Sequence, residues 1–379
     1  MPDPGPEPIK GHHMGLLRVI LAIGVVLGHT GGDISRFLFV PGDVAVQGFY
    51  MISGFYIALV LNEKYNQAGD TLVFYKNRFL RIFTTYWLFL AIAFLAELFS
   101  FLTRHSGDLA RWISHAPELG VGGLVYLLLS NIFLFGQDAA LFLGLDAGGL
   151  HWTSDFNASS PPVFSFFLIH PAWSLALELL FYVLAPFILR RSTPFVIGLA
   201  ACSLGLRAHA YTLGYSQNPW SYRFFPFELS MFLAGALSYR LYDRLRGVDA
   251  AILGPALSLC LLGATLLYPL YSDDADTFFS AAKIGLYVCF FVSLPFLFKW
   301  TKDNRRDRWI GELSYPIYLG HMLIAHAIHF PAPNLRALVV IAVTILLAIG
   351  VVRYVEIPLE RYRQRNVRAA HAAASAVPA

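Results

Sequence analysis

One stretch of sequence decides the fold class: residues 14–32 read MGLLRVILAIGVVLGHTGG, an apolar run with a single arginine and a single histidine. A run of this length can cross about 30 Å of hydrocarbon as a helix. Arg18 and His29 are eleven residues apart. Eleven residues at 100° each return to within roughly 20° of the starting direction and rise about 16 Å, so both side chains lie on one helix face. Ionisable residues inside a membrane helix are costly and usually functional, so this face predicts a functional site.

The whole chain has the composition of a membrane protein. Hydrophobic residues make up 57% of its 379 residues and charged residues 14%, whereas soluble domains average roughly 25% charged residues. The mean hydropathy is +0.57. These values predict an all-α, polytopic membrane protein. The net charge of +4 is too small to argue for a nucleic-acid partner.

Ten apolar runs are long enough to be membrane-spanning helices. They cover residues 15–32, 43–62, 82–103, 172–190, 193–213, 225–242, 250–270, 278–298, 314–330 and 336–355. We therefore predict a bundle of about ten transmembrane helices in a domain at 14–360. It lies between a cytoplasmic tail at 1–13 and a basic, then alanine-rich cytoplasmic tail at 361–379, which we expect to be disordered.

Basic residues determine the predicted orientation, because lysine and arginine collect in cytoplasmic loops. They cluster at 63–81, 190–191, 240–246, 299–308 and 361–368. Ten crossings place all five clusters on the cytoplasmic side with both termini, and leave a large outer region at about 104–171. An eleventh crossing at the shorter apolar run 121–136 would reverse the orientation downstream of it. We therefore expect that run to be re-entrant or interfacial.

The first helix then carries Arg18 near its cytoplasmic end and His29 near its outer end. Arg18 alone could also be an interfacial arginine, and His29 a hydrogen-bonded packing residue. Asp33 follows His29 at i+4, the spacing at which helical side chains meet. A carboxylate there would fix the imidazole tautomer and raise its basicity, as general-base catalysis requires. This contact needs the helix to continue past Gly31 and Gly32.

Two further segments carry paired polar residues. Arg78 and Arg81 are three residues apart at the inner interface. Their guanidinium groups suit phosphate recognition, although the pair also fits an ordinary cytoplasmic charge signal. Ser174 and Glu178 are four residues apart, on one face near the outer leaflet. A carboxylate inside a span needs a partner, a water-filled cavity or neutralisation, which makes Glu178 a functional candidate.

Three histidines near the end of the chain do not have the spacing of a metal site. On one helix, His321 would lie well off the face shared by His326 and His329. We therefore expect no bound metal and place His321 in a polar interior site.

Taken in order, these stretches resemble the acyltransferase 3 family of bacterial integral-membrane O-acyltransferases. The spacing of Arg18 and His29 is similar to the hallmark of that family's first helix, and the resemblance covers nearly the whole chain. The other similar blocks are Ser53-Gly54-Phe55, Arg78-x-x-Arg81 before Tyr86-Trp87, Trp173-Ser174-Leu-Ala-Leu-Glu178, Ser314-Tyr-Pro-Ile-Tyr318-Leu-Gly-His321 and Val355-Glu356-Ile-Pro358. Two positions differ from the family pattern. The segment that begins at Gln47 lacks the usual aspartate, and Thr84-Thr85 replaces a common proline.

The resemblance implies transfer of an acyl group, usually acetyl, from acyl-coenzyme A (acyl-CoA) to a hydroxyl, most often on a carbohydrate or glycoconjugate. It also implies ten core helices with the catalytic histidine in the first. The expected protein is thus a multi-pass O-acetyltransferase of the bacterial cytoplasmic (inner) membrane. Its donor substrate is acyl-CoA, and no cofactor is permanently bound.

His29 is the expected general base on the acceptor hydroxyl, oriented by Asp33 or Glu178, with direct attack on the thioester. An acyl-histidine intermediate is the alternative mechanism.

Arginines at the inner face are the expected donor-binding residues, because coenzyme A is polyanionic and cytoplasmic: Arg18, Arg78 and Arg81. Its pantetheine arm is similar in length to the rise of about 16 Å between Arg18 and His29. The residues considered for the acceptor site or the polar interior are Trp173, Ser174 and His321.

Two other classes of protein fit the same residues. A transporter or channel for a polar or anionic solute would use the buried charges as a pathway, and a scaffold subunit of an envelope-polysaccharide assembly would need no chemistry at His29. The lack of an internal repeat argues against transporters built from two related halves. Neither the acceptor nor the oligomeric state follows from the sequence. Exopolysaccharide, a lipopolysaccharide sugar, lipo-oligosaccharide and macrolide glycoside all remain candidate acceptors.

Overall fold

The structure is a computed structural model that describes residues 14–67, 69–248, 251–273 and 277–362. The predicted tail at 1–13 lies outside the described residues. So does the predicted tail at 361–379, apart from its first two residues.

Within these residues helix predominates and a single two-stranded hairpin is described, so the predicted all-α class is confirmed. Twelve α-helices are described: α1 Gly15–Thr30, α2 Gly42–Glu63, α3 Asp70–Arg104, α4 Asp108–Ser114, α5 Ala116–Phe133, α6 Trp173–Ile188, α7 Thr193–Thr212, α8 Phe225–Arg244, α9 Leu253–Leu266, α10 Ala281–Thr301, α11 Arg305–Ala327 and α12 Pro333–Val351. The two strands described, β1 Leu143–Asp146 and β2 Gly149–Trp152, form one antiparallel hairpin.

Each of the ten predicted spans falls on one of these helices. By length and apolar composition alone, six helical segments of the described chain are able to cross a membrane: Gly42–Glu63, Asp70–Arg104, Ala116–Phe133, His170–Ile188, Ala281–Thr301 and Pro333–Tyr362. Helices α1 and α9 are apolar but shorter. The count of about ten crossings and the cytoplasmic termini therefore remain predictions.

Helix α3 corrects the predicted basic loop at 63–81, because most of that segment is helical. The helix begins at Asp70 and runs for 35 residues, or about 52 Å at 1.5 Å per residue. That length exceeds the roughly 30 Å hydrocarbon thickness. Arg78 and Arg81 thus lie on a rigid helix in the part that precedes its apolar run, which holds both side chains in fixed directions.

Helix α5 begins at Ala116, five residues before the short apolar run 121–136, and ends within that run at Phe133. Gly120 has a φ of 59°, which kinks the helix near its start. The segment is long and apolar enough to count among the six candidate spans. Its placement as re-entrant or interfacial remains a prediction, as does the outer region at about 104–171.

Helices α1 and α11 are packed side by side and run parallel. The Asp307 carboxylate accepts hydrogen bonds from the backbone N–H groups of Gly15 at 2.8 Å and Leu16 at 3.0 Å. A carboxylate at this position satisfies free N–H groups and complements the helix dipole. Fourteen residues further along each helix, His29 contacts His321. The two contacts hold α1 in register with α11 along most of its length.

Close backbone approach joins α2 to α8. A Cβ on Gly54 would lie 1.9 Å from the Phe232 carbonyl oxygen, and one on Gly235 would lie 1.8 Å from the Met51 carbonyl oxygen. Only glycine fits at either position, because any side chain would push the helices apart. Helix α2 of this tight pair contributes lining residues to both cavities in which the candidate residues lie.

Candidate active site

One cavity, of about 110 Å³, lies between α1, α2, α3, α6 and α11. We call it the inner cavity, after the predicted position of Arg18 near the cytoplasmic end of α1. Five residues singled out from the sequence line it: Arg18, Arg78, Arg81, Ser174 and Glu178. They come from three different helices and are up to 160 residues apart in the chain. The structure therefore brings the predicted arginines and the Ser174–Glu178 pair into one site. The sequence had placed the pair near the outer leaflet and the arginines at the inner face, so their predicted separation is wrong.

Two buried arginines, Arg18 and Arg78, and the half-buried Arg81 give this cavity a cationic wall. Arg18 is 7% exposed and Arg78 is 5% exposed. The Nη1 atom of Arg18 and the Nε atom of Arg78 are buried and lack a hydrogen-bond partner in the described part of the chain. Arg81 lies 3.8 Å from the Glu312 carboxylate. Unpaired buried donors are costly unless a ligand accepts from them, so this wall is suited to an anion.

Glu178 has partners in the same cavity. Its carboxylate accepts a hydrogen bond from the Ser53 hydroxyl at 2.6 Å and another from the Tyr182 hydroxyl. Arg78 lies over the Tyr182 ring, with its Cζ atom 5.9 Å from the ring centre. The carboxylate therefore organises two hydroxyl groups beside the arginines.

A second, larger cavity of about 500 Å³ is called the outer cavity. His29 and Trp173, two further residues singled out from the sequence, line it. Tyr318 and Val46 line both cavities. The Tyr318 hydroxyl hydrogen-bonds with Ser174 Oγ at 2.6 Å and donates to the Pro171 carbonyl at 2.9 Å. Tyr318 therefore lies at the boundary between the two cavities, held by the start of α6.

His29 is exposed to the outer cavity, and its ring contacts a second histidine. Its Nδ1 atom lies 2.9 Å from the Val25 carbonyl oxygen and 3.3 Å from Nε2 of His321. His321 is fully buried, and its own Nδ1 lies 2.7 Å from the Tyr318 carbonyl oxygen. A carbonyl can only accept, so Nδ1 of each neutral ring carries the proton. Nε2 of His321 then accepts from His29, and Nε2 of His29 keeps a free lone pair.

The predicted contact between Asp33 and His29 is wrong. Helix α1 ends at Thr30, and Gly31 and Gly32 follow with φ values of 73° and 108°. Such positive φ values end a helix, so Asp33 leaves the helical face that carries His29. Its side chain is 63% exposed and lies 3.5 Å from Arg36.

Glu178 does not contact His29 either, because its hydrogen bonds go to Ser53 and Tyr182 in the inner cavity. Neither predicted carboxylate therefore orients the imidazole. The side chain that contacts His29 Nδ1 is His321, which the sequence placed in a polar interior site, and the backbone carbonyl of Val25 lies on the same nitrogen.

Several site residues had no assigned role in the sequence analysis. Tyr318 belongs to a quoted block but its place between two cavities depends on the packing of α11 against α6. Arg223 lies in the segment between α7 and α8 and lines the outer cavity. The sequence did contain a signal for Arg223 as a site residue, since it is the one cation in the aromatic run 220–225.

A fully buried ion pair was also missed. Arg207 and Glu228 are 2.5 Å apart and each is 0% exposed. Gln47, which stands in the segment that lacks the family aspartate, donates to both Glu228 oxygens at 3.1 and 3.2 Å. The sequence did carry a signal for this pair. Arg207 and Glu228 each stand alone in an apolar stretch, and a charged residue inside a membrane helix usually has a partner of opposite charge. Through Gln47, the pair joins α7 and α8 to α2.

Comparison with known proteins gives one consistent family. The family model described as an acyltransferase domain matches residues 13–353. Nodulation protein 10 of Rhizobium leguminosarum bv. viciae is 24% identical over 353 residues, which cover 86% of each chain. No solved structure gives a significant match.

A second relative comes from Staphylococcus aureus (strain MRSA252), where it is provisionally named an O-acetyltransferase. It is 22% identical over 397 aligned positions, which cover 96% of this chain and 59% of that protein. Since the family model covers most of the chain, the chain belongs to the acyltransferase 3 family and is a membrane O-acyltransferase.

Proposed function

We propose that the protein transfers an acyl group, with acetyl as the expected group, from acyl-CoA to a hydroxyl of a carbohydrate or glycoconjugate. The donor enters from the cytoplasm and the acceptor from the outer side of the bacterial inner membrane. The observation that carries the proposal is the meeting of two unlike cavities at Tyr318. One has a cationic wall, and the other contains a histidine with a free ring nitrogen.

The inner cavity is the proposed donor site. Arg18, Arg78 and Arg81 would bind the phosphates of coenzyme A, since guanidinium groups pair well with phosphate oxygens. The unpaired Nη1 of Arg18 and Nε of Arg78 support this assignment. The pantetheine arm would then extend along α1 and bring the thioester to the boundary at Tyr318. Glu178 would act in this cavity, through the Ser53 and Tyr182 hydroxyls.

The outer cavity is the proposed acceptor site, and His29 the proposed general base. Nε2 of His29 takes the proton of the acceptor hydroxyl as its oxygen attacks the thioester carbonyl carbon. The new C–O bond forms, the C–S bond breaks, and the proton passes from His29 to the departing thiolate. The products are the O-acyl ester and free coenzyme A, so no other reactant is needed.

His321 replaces the predicted carboxylates as the positioning residue. Nε2 of His321 accepts a hydrogen bond from Nδ1 of His29. With its proton on Nδ1, the neutral His29 ring has an unprotonated Nε2 that would face the acceptor. The same arrangement supports an acyl-histidine intermediate, in which Nε2 attacks the thioester itself.

The test uses purified full-length protein reconstituted in sealed vesicles. Acetyl-CoA is added on either side, with a glycan extract from cells that lack the gene as the acceptor source. We expect thiol release and acetylated glycan, detected by mass spectrometry, with acetyl-CoA on the cytoplasmic side. Turnover with donor on the outer side alone would contradict the proposed sidedness. Transport of solute without any thioester turnover would support a transporter instead.

A further inference from the structure

Arg223 forms a cationic wall of the outer cavity, stacked among aromatic rings. Its Cζ atom lies 4.6 Å from the ring centre of Trp173, 4.9 Å from that of Tyr222 and 5.6 Å from that of Phe156. These contacts stabilise the charge and restrict the side chain. The guanidinium is therefore held in place before any ligand binds.

Aromatic stacking occupies the faces of a guanidinium group and leaves its in-plane N–H groups available. The Nη2 atom of Arg223 donates to the Tyr222 hydroxyl at 2.7 Å, whereas Nε has no hydrogen-bond partner in the described residues. No carboxylate of the described chain is within ion-pair distance of Arg223. Asp43, the acidic residue that lines this cavity, is 2.8 Å from Lys283 instead. Arg223 thus supplies a positive charge that no ion pair neutralises.

A comparison with Arg336 separates a structural arginine from this one. Arg336 donates to the backbone carbonyls of Ile328 at 3.1 Å and Ala325 at 2.8 Å, and so ties the end of α11 to α12. Arg223 makes no such backbone contacts. Its surroundings fix the cation at the cavity wall without using its full donor capacity, as expected of a binding residue.

We propose that Arg223 binds an anionic group of the acceptor, either a carboxylate or a phosphate. This inference rests on the proposed function, in which the outer cavity takes the acceptor. Carboxylate and phosphate oxygens both accept from guanidinium N–H groups. The carboxylate would come from an acidic sugar, and the phosphate from a phosphorylated sugar or a lipid-linked glycan. Trp173 and Tyr222 would then lie beside the bound sugar.

The experiment measures binding to the purified full-length protein by calorimetry. The probes are a uronic-acid oligosaccharide, its carboxyl-reduced neutral form, and the neutral form carrying one phosphate. We expect at least one charged probe to bind about tenfold or more tightly than the neutral one, because hydrogen bonds to charged groups are the stronger ones. Which of the charged probes is preferred distinguishes a carboxylate from a phosphate.

The variant Arg223→Gln should abolish this preference, and Arg223→Lys should keep part of it because the charge remains. The matched control is Arg36→Gln, since Arg36 lies just beyond α1, is highly exposed and does not line the cavity. Equal binding of all three probes to wild-type protein would overturn the proposal. The proposal would also be overturned if Arg223→Gln still bound the charged probes more tightly than the neutral one, or if this variant lost thioester turnover and kept its binding preference.

Thioester turnover on the same preparation separates this inference from the proposed function. Turnover without any charge preference overturns the role of Arg223 alone. A charge preference that depends on Arg223, in a protein without turnover, overturns the acyl-transfer proposal.

Discussion

The inner and outer cavities differ in the charge of their walls and in the chemistry that each wall allows. Three arginines line the inner cavity, two of them with unpaired buried nitrogens. The outer cavity has a single ion pair, one stacked arginine and a histidine. The inner wall is suited to a polyanion, whereas the outer wall presents a base with few charges around it. In the proposed function the two cavities therefore bind different substrates, whose reacting groups come together at Tyr318.

One helix serves both cavities. Arg18 of α1 lines the inner cavity and His29 lines the outer one. Because α1 is a straight element held at both ends by α11, the distance between anion site and base is set by helix geometry. Variants at the Arg18 end of α1 should consequently impair donor binding, and variants at the His29 end should impair acyl transfer.

The largest effect should come from His29→Ala. We expect acyl transfer to fall by roughly 10²–10⁴-fold, the typical contribution of a positioned general base. Donor binding and thermal stability should stay near normal, because His29 is exposed to a cavity. The measurement combines transfer rate, donor affinity and melting temperature on one preparation.

The matched control is His326→Ala, an exposed histidine on α11 that does not line the outer cavity. His29→Gln is the stricter variant, since glutamine keeps the polarity but cannot accept a proton at neutral pH. An active Gln variant would show that another residue is the base, and Glu178 would be the next candidate.

The double variant Arg78→Ala, Arg81→Ala tests the other cavity. Hydrogen bonds to charged groups contribute about 1.5–3 kcal/mol each, so affinity for acetyl-CoA should fall more than tenfold. The transfer rate at saturating acetyl-CoA should fall less in this double variant than in His29→Ala. Donor affinity is measured by equilibrium binding in detergent.

Arg191→Ala with Arg244→Ala is the matched double control, because both side chains are exposed and neither lines the inner cavity. If both double variants bound the donor as wild type does, Arg78 and Arg81 would be topology signals only.

A smaller effect is expected at His321, whose proposed role is to position His29 without touching substrate. His321→Leu removes one of the two acceptors near Nδ1 of His29 and leaves the Val25 carbonyl. We expect kcat to fall by up to about tenfold, the upper range for one hydrogen bond. His321→Gln retains an acceptor and should recover much of that loss. The KM for acetyl-CoA should not change in either variant, since the proposed donor site is the inner cavity, which His321 does not line.

A merely structural His321 would show the reverse pattern. Both variants would then lose stability together, and glutamine would not restore kcat. His326→Gln is the control on the same helix, because it should leave kcat and KM unchanged.

The features predicted correctly from sequence are those that depend only on residues close together in the chain. Ten apolar runs each fall on a helix, because length and hydrophobicity act within one segment. The spacing of Arg18 and His29 placed both side chains on one face of α1, since helix periodicity is the same in every fold. The pairing of Ser174 with Glu178 was predicted on the same basis, and both residues line the inner cavity.

The same local reasoning failed where the backbone left the helix. Asp33 is at the correct spacing, but Gly31 and Gly32 adopt positive φ values and turn the chain away. Glycine permits that conformation without requiring it, so the sequence alone did not exclude a longer helix.

The sequence by itself determined the helical membrane class, the family and the helix face that carries Arg18 and His29. Tertiary structure decided which side chain contacts the base. His321 reaches His29 across 292 positions of sequence because α1 and α11 pack in parallel register, and Asp307 at Gly15 maintains that register over the same separation. Periodicity within one helix carries no information about its alignment with another. That alignment follows from the packing and hydrogen bonding of both helices together.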